Sequence, residues 1–66
     1  MNILLNGKRV ACRDARTVGE LIARHQLPPE TTLVEHNGVA LRRRDWPEQN
    51  LQDDDRIEIL RVAAGG

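Results

Sequence analysis

Two Asn-Gly dipeptides, Asn6-Gly7 and Asn37-Gly38, restrict the folds open to this chain more than any other feature. Each follows a strand-like run, and Asn-Gly suits the two-residue hairpin turn whose central residues both take positive φ. In MNILL the apolar residues are Met1, Ile3 and Leu5, and KRVACR resumes the period of two with Val10 and Cys12. These two runs are predicted to pair as a β-hairpin. TTLVEHNG, rich in β-formers, is a third strand, and VALR returns from its turn as a short fourth.

One helix lies between the hairpins. In DARTVGELIARHQLPP, Thr17 and Glu20 have capping-box spacing: the hydroxyl accepts an exposed backbone N–H and the glutamate reaches back to the cap. Val18, Leu21, Ile22 and His25 fall at i, i+3, i+4 and i+7, one face of a helix, and Pro28 and Pro29 stop it. In DWPEQ, Asp45 and Glu48 repeat the capping spacing with Pro47 in the first turn, enough for one helical or 3₁₀ turn. Asp53, Asp54 and Asp55 make a polar turn, and RIEILRV is the last strand.

One helix against four or five strands predicts a two-layer α+β domain over residues 1–62, the helix covering one face of a mixed sheet. The first and last strands are the most hydrophobic, which places them central, adjacent and parallel. That is the β-grasp (ubiquitin-like) arrangement. Ile57 and Ile59 must face the helix to fill the core, so Glu58, Leu60 and Val62 point to the uncovered face. In the first strand Ile3 and Leu5 go inward and Leu4 outward. Leu4, Leu60 and Val62, with Arg61 beside them, are read as a partner-docking face that leads toward the C-terminal residues.

Composition narrows the function. A chain of 66 residues is one domain, and ordering it costs on the order of 100 kcal/mol of conformational entropy. Eight Leu, four Ile and five Val oppose that cost without help, because a single Cys excludes an internal disulfide and metal-type Cys/His spacings are missing. Ten basic and ten acidic residues cancel, so no general affinity for nucleic acid or an anionic membrane follows. No run resembles a signal peptide or a membrane span, and with an unpaired Cys a cytoplasmic location is expected.

Cys12, inward beside Val10, is read as a small buried hydrophobe. His25 and His36 lack thiol or carboxylate neighbours at ligand spacing, so packing and hydrogen bonding are expected of both, and no metal site is assigned. The three aspartates lack the glycine and distal glutamate of a calcium loop and are read as a solvated turn. Arg42, Arg43 and Arg44 form the only basic cluster and are read as a solvated face; Trp46, the sole aromatic, is expected to pin its turn to the body near Leu51. No nucleophile, base and orienting group share a recognisable spacing, so no catalytic residue is assigned.

The chain ends in RVAAGG. At average glycine usage a terminal Gly-Gly arises by chance in roughly one chain in 200, so a role for a terminus without side chains is expected. Residues 63–66 are read as a flexible Ala-Ala-Gly-Gly tail.

A β-grasp domain with this terminus resembles the ubiquitin-like sulfur carriers, and most closely the ThiS family of thiamine (thiazole) biosynthesis. The resemblance spans the chain: NGK at Asn6–Lys8, TVGELI at Thr17–Ile22, VEHNG at Val34–Gly38, Arg44 with Trp46, Leu51–Asp55, IEIL at Ile57–Leu60, and Val62 before Gly65-Gly66. Each piece is a weak signal; their order and spacing are specific. Two departures are Asp54, where the family usually has glycine, and Ala64 beside Ala63. The resemblance implies that an E1-like adenylating enzyme uses ATP to activate the Gly66 carboxylate, that a persulfide donor converts it to a thiocarboxylate, and that a thiazole synthase receives the sulfur. Gly65, Ala64 and Ala63 would thread into the partners' active sites. The chain would then be a carrier acted on by enzymes, with no permanent cofactor. Competing readings are a molybdopterin-synthase small-subunit type of carrier, a ubiquitin-like protein modifier, and a non-covalent interaction module with an inert tail.

Overall fold

Both Asn-Gly dipeptides close hairpins of the predicted type. Asn6 and Gly7 have φ of 51° and 80°, and Asn37 and Gly38 have φ of 51° and 85°, the paired positive values of a type I′ turn. The first joins β1 (Asn2–Leu5) to β2 (Lys8–Ala11), with Leu5 opposite Lys8; the second joins β3 (Thr32–His36) to β4 (Val39–Leu41), with His36 opposite Val39. The computed structural model describes residues 1–62, so the expectations for Ala63, Ala64, Gly65 and Gly66 lie outside the described residues.

The two hairpins meet through β5 (Arg56–Arg61), giving a five-stranded sheet of order β2-β1-β5-β3-β4. β5 runs parallel to β1 and antiparallel to β3, the β-grasp topology. The turn asparagines do more than tolerate positive φ. Asn6 donates its N–H to the Ile57 carbonyl (2.8 Å) and accepts the Ile59 N–H on Oδ1 (2.7 Å). Asn37 donates to the Arg56 carbonyl (2.8 Å) and accepts the Arg56 N–H on Oδ1 (2.8 Å). Each side chain thus acts as one more rung of a ladder at the point where its own strand turns away.

The helix α1 (Val18–Arg24) packs on one face of the sheet, with Val18, Leu21 and Ile22 buried against Ile3, Val34 and Ile57. Thr17 caps it, accepting the Glu20 N–H at 3.1 Å. Glu20 returns its bond to the Arg16 N–H (2.6 Å) rather than to the cap residue itself. The Val18 N–H is satisfied by the Gln49 carbonyl (2.9 Å), which ties the helix start to the segment after the second 3₁₀ turn.

Four local expectations are corrected. His25 is the exposed C-cap of α1, not a member of its buried face. The helix ends before the prolines, in a Schellman arrangement: Gln26, at φ 55°, donates to the Ala23 carbonyl, and Leu27 donates to the Ile22 carbonyl. Pro29–Thr31 forms a 3₁₀ turn that periodicity did not signal. The second 3₁₀ turn runs over Arg43–Glu48 and begins without a side-chain cap, so Asp45 lies inside it. Trp46 is buried beside Leu51 as expected, and Cys12 is buried with its Sγ near the Ala15 carbonyl.

Gly19 is where helix and 3₁₀ turn come closest. A Cβ there would stand 3.1 Å from Pro47 Cα and 3.3 Å from the Trp46 carbonyl carbon, both backbone atoms. Gly19→Ala should therefore destabilise by about 1 kcal/mol or more despite alanine's higher helix propensity. Gln26→Gly should stabilise by about 1 kcal/mol, because glycine takes the left-handed C′ position without a steric cost. Urea unfolding of the two variants tests both signs.

Candidate functional site

The C-terminal end of β5 is fastened to its neighbour as far as it is described. Arg61 stands opposite Thr32, and the Val62 N–H donates to the Thr31 carbonyl at 2.9 Å. Residues 63–66 continue from this anchored point.

Around it, strand parity sorts the proposed docking residues onto different surfaces. Leu60 and Val62 are exposed on the helix-free face, at 57% and 46%. The cross-strand partner of Leu60 is Leu33, itself 55% exposed, so the exposed apolar pair is Leu33–Leu60. Leu33 was legible from parity: Val34 faces the core, so its neighbour on β3 faces out. Leu4 shares that face but lies opposite Arg56, four residues from Leu60, or about 13 Å along the strand. Glu58 and its opposite number Glu35 occupy the row between, so Leu4 does not adjoin Leu60 and Val62. Arg61 has the parity of Ile57 and Ile59. It lines a hollow of about 330 Å³ on the helix side with Leu27 and His25, away from the apolar pair.

The other end of β5 holds a buried polar cluster. Asp55, expected in a solvated turn, is only 8% exposed. Its Oδ2 is 2.7 Å from His36 Nε2 and accepts the Gln52 N–H at 2.9 Å; its Oδ1 accepts Asn37 Nδ2 at 3.0 Å. Burial pushes the Asp55 carboxyl up, but the bonds from His36, Asn37 and Gln52, with the His36 charge, outweigh it and hold the group below its ordinary value. Asp53 and Asp54 remain exposed, and Asp54 takes φ 70°, the left-handed conformation that a glycine would adopt without strain. His36 therefore serves in hydrogen bonding as expected, with a carboxylate partner that sequence spacing did not reveal. The His36 and Asn37 donors join the β3–β4 turn to the start of β5, the Gln52 N–H closes the loop before it, and Cys12 and the threonines lie elsewhere. The cluster is structural.

A hollow of about 480 Å³ lies between α1 and the 3₁₀ turns, lined by Gly19, Ile22, Ala23, Leu27, Trp46 and Pro47 among others. It is mainly apolar, and of its two charged lining residues Glu20 is engaged by the Arg16 N–H and Arg43 stands 4.0 Å from Glu30. Among the described residues no group of three His, Cys, Asp or Glu side chains converges as a metal site, and no helix is long and apolar enough to cross a membrane.

Because the folded-state pKa of Asp55 is lowered, its contribution to stability is fully present above the unfolded carboxylate value of about 3.9 and is lost as pH falls through the lower folded value. Asp55→Ala leaves three donors without their acceptor and should cost about 3 kcal/mol at neutral pH. Urea unfolding from pH 7 to pH 2 should show the gap between wild type and variant narrowing at the acid end, by the part that depends on the Asp55 charge.

Comparison with known proteins places this geometry. The model of the ThiS family matches residues 3–66. The sulfur carrier protein ThiS of Bacillus subtilis (strain 168) is 36% identical over 63 residues, covering 94% of this chain and 96% of that protein. The sulfur carrier protein ThiS of Escherichia coli (strain K12) is 30% identical over 66 residues and the full length of both. The crystal structure of the thiamine biosynthesis protein ThiS from Geobacter metallireducens, 32% identical, superposes over all of both chains with a TM-score of 0.82. Matched by the family model over residues 3–66 and by these relatives over nearly its whole length, the chain belongs to the ThiS family.

Proposed function

We propose that this protein is a sulfur carrier for thiazole formation in thiamine biosynthesis, and that the carboxylate of Gly66 is its working group. The family match running through Gly65 and Gly66 carries this reading, supported by relatives that are themselves sulfur carrier proteins. A carboxylate is a poor electrophile. An E1-like adenylating enzyme supplies the remedy: a Gly66 oxygen attacks the α-phosphorus of ATP, pyrophosphate leaves, and an acyl-adenylate forms. The outer sulfur of a persulfide then attacks the carbonyl carbon and AMP leaves. Thiol reduction of the resulting S–S bond yields the thiocarboxylate, whose sulfur passes to a thiazole synthase.

The chain contributes a body and a probe. Glycine at 65 and 66, with Ala63 and Ala64, keeps the probe narrow enough to enter two different active sites. Four residues reach at most about 14 Å, so each partner must bring its reacting centre within that distance of Val62. Leu60, Val62 and Leu33 form the docking surface at the base of the probe, Arg61 steers from the helix side, and Leu4 stands apart from this contact. Bases and oxyanion donors belong to the partners, as does the ATP site, and the carrier works as a protein co-substrate.

Incubation with the host's adenylating enzyme, ATP and a persulfide source, read by intact mass, tests the reading. A gain equal to sulfur replacing one oxygen is expected, and deletion of Gly66 should abolish it while leaving the melting curve unchanged. No gain from an adenylating enzyme active on another carrier would sink the proposal.

A further inference from the structure

Two independent features of the helix-free sheet face are unfavourable for the isolated domain. Leu33 and Leu60 stand directly opposite each other, each more than half exposed. In the next row Glu35 stands directly opposite Glu58, and both are exposed. Directly opposed side chains have Cβ atoms about 4.5–5.5 Å apart, a separation at which like charges destabilise a sheet. No ion pair among the described residues engages either glutamate. The ion pairs among the described residues are Arg9–Asp54, Arg24–Asp14, His36–Asp55 and Arg43–Glu30. Arg56 shares with both glutamates the lining of a notch of about 140 Å³, yet it lies beyond ion-pair distance of either carboxylate.

We propose that the face from the Glu35–Glu58 row to Val62 docks a partner protein presenting an arginine or lysine beside an apolar side chain. The cation seats between the two carboxylates and the apolar group covers Leu33 and Leu60. The two rows are about 7 Å apart, the spacing of alternate residues on one strand, so neighbouring side chains of the partner reach both. A site lined by two carboxylates repels an acidic partner surface and attracts a basic one from a distance. The same strand ends at Val62, which brings the bound partner to the base of the C-terminal segment. The inference rests on the carrier reading and names the surface chemistry of the adenylating enzyme that would bind there.

Glu35→Gln and Glu58→Gln separate this role from a structural one, because they move stability and binding in opposite directions. Each should raise Tm by about 2–5 °C through relief of the like-charge pair. Each should weaken ATP-free binding to the host's adenylating enzyme about ten-fold, mainly through a slower, less salt-dependent association rate. Glu48→Gln, on the second 3₁₀ turn, removes the same charge elsewhere and should leave binding unchanged. Unaltered affinity in the two sheet variants, an equal loss in Glu48→Gln, or a lowered Tm would each overturn the proposal, as would a folded wild type that does not bind. Normal wild-type binding without sulfur loading would count against the carrier chemistry alone, leaving the docking surface supported.

Discussion

The fold depends on one strand. β1 and β2 form one hairpin, β3 and β4 another, and within the sheet the two are joined only through β5. A late strand inserted between two hairpins must find rungs on both sides. Asn6 and Asn37 supply extra ones where β1 and β3 turn away, each using its backbone N–H and its side-chain carbonyl on β5. This explains why asparagine suits both turns: glycine allows positive φ but brings no acceptor, and aspartate would bring charge to the rim of the sheet.

Polarity is divided along that same strand. At its start, Asp55 gathers donors from His36, Asn37 and Gln52 and locks the β3–β4 turn against the loop before β5. At its end the outward residues become apolar, and Val62 is still tied to Thr31. The rigid polar anchor and the exposed apolar end are thus separated by the length of β5. On the function proposed above, this division would leave the body that a partner grips fixed while the chemistry proceeds at Gly66.

The candidate site was legible as far as alternation reaches. Parity assigned Leu60 and Val62 to the open face and Ile57 to the core, and the structure agrees. Parity within one strand does not give register between strands. Leu4 was grouped with Leu60 because both point outward, whereas the pairing Leu4–Arg56 puts them four residues apart. The same gap hid the Leu33–Leu60 and Glu35–Glu58 rows, whose members lie far apart in the chain. Arg61 was grouped with the docking face by adjacency in sequence, and alternation itself puts it on the other side.

What the sequence by itself determined is the set of local decisions: two type I′ hairpins from Asn-Gly, a helix begun by Thr17, and the helix-facing parity of β1 and β5. These follow from backbone sterics and side-chain period, which act over a few residues. Tertiary structure decided the burial of Asp55, the end of α1 at Gln26 and the close approach at Gly19. It also decided the opposition of two leucines and two glutamates. Each of these depends on a partner tens of residues away or on where a packed element stops, and only the assembled sheet and helix bring such groups within reach of one another.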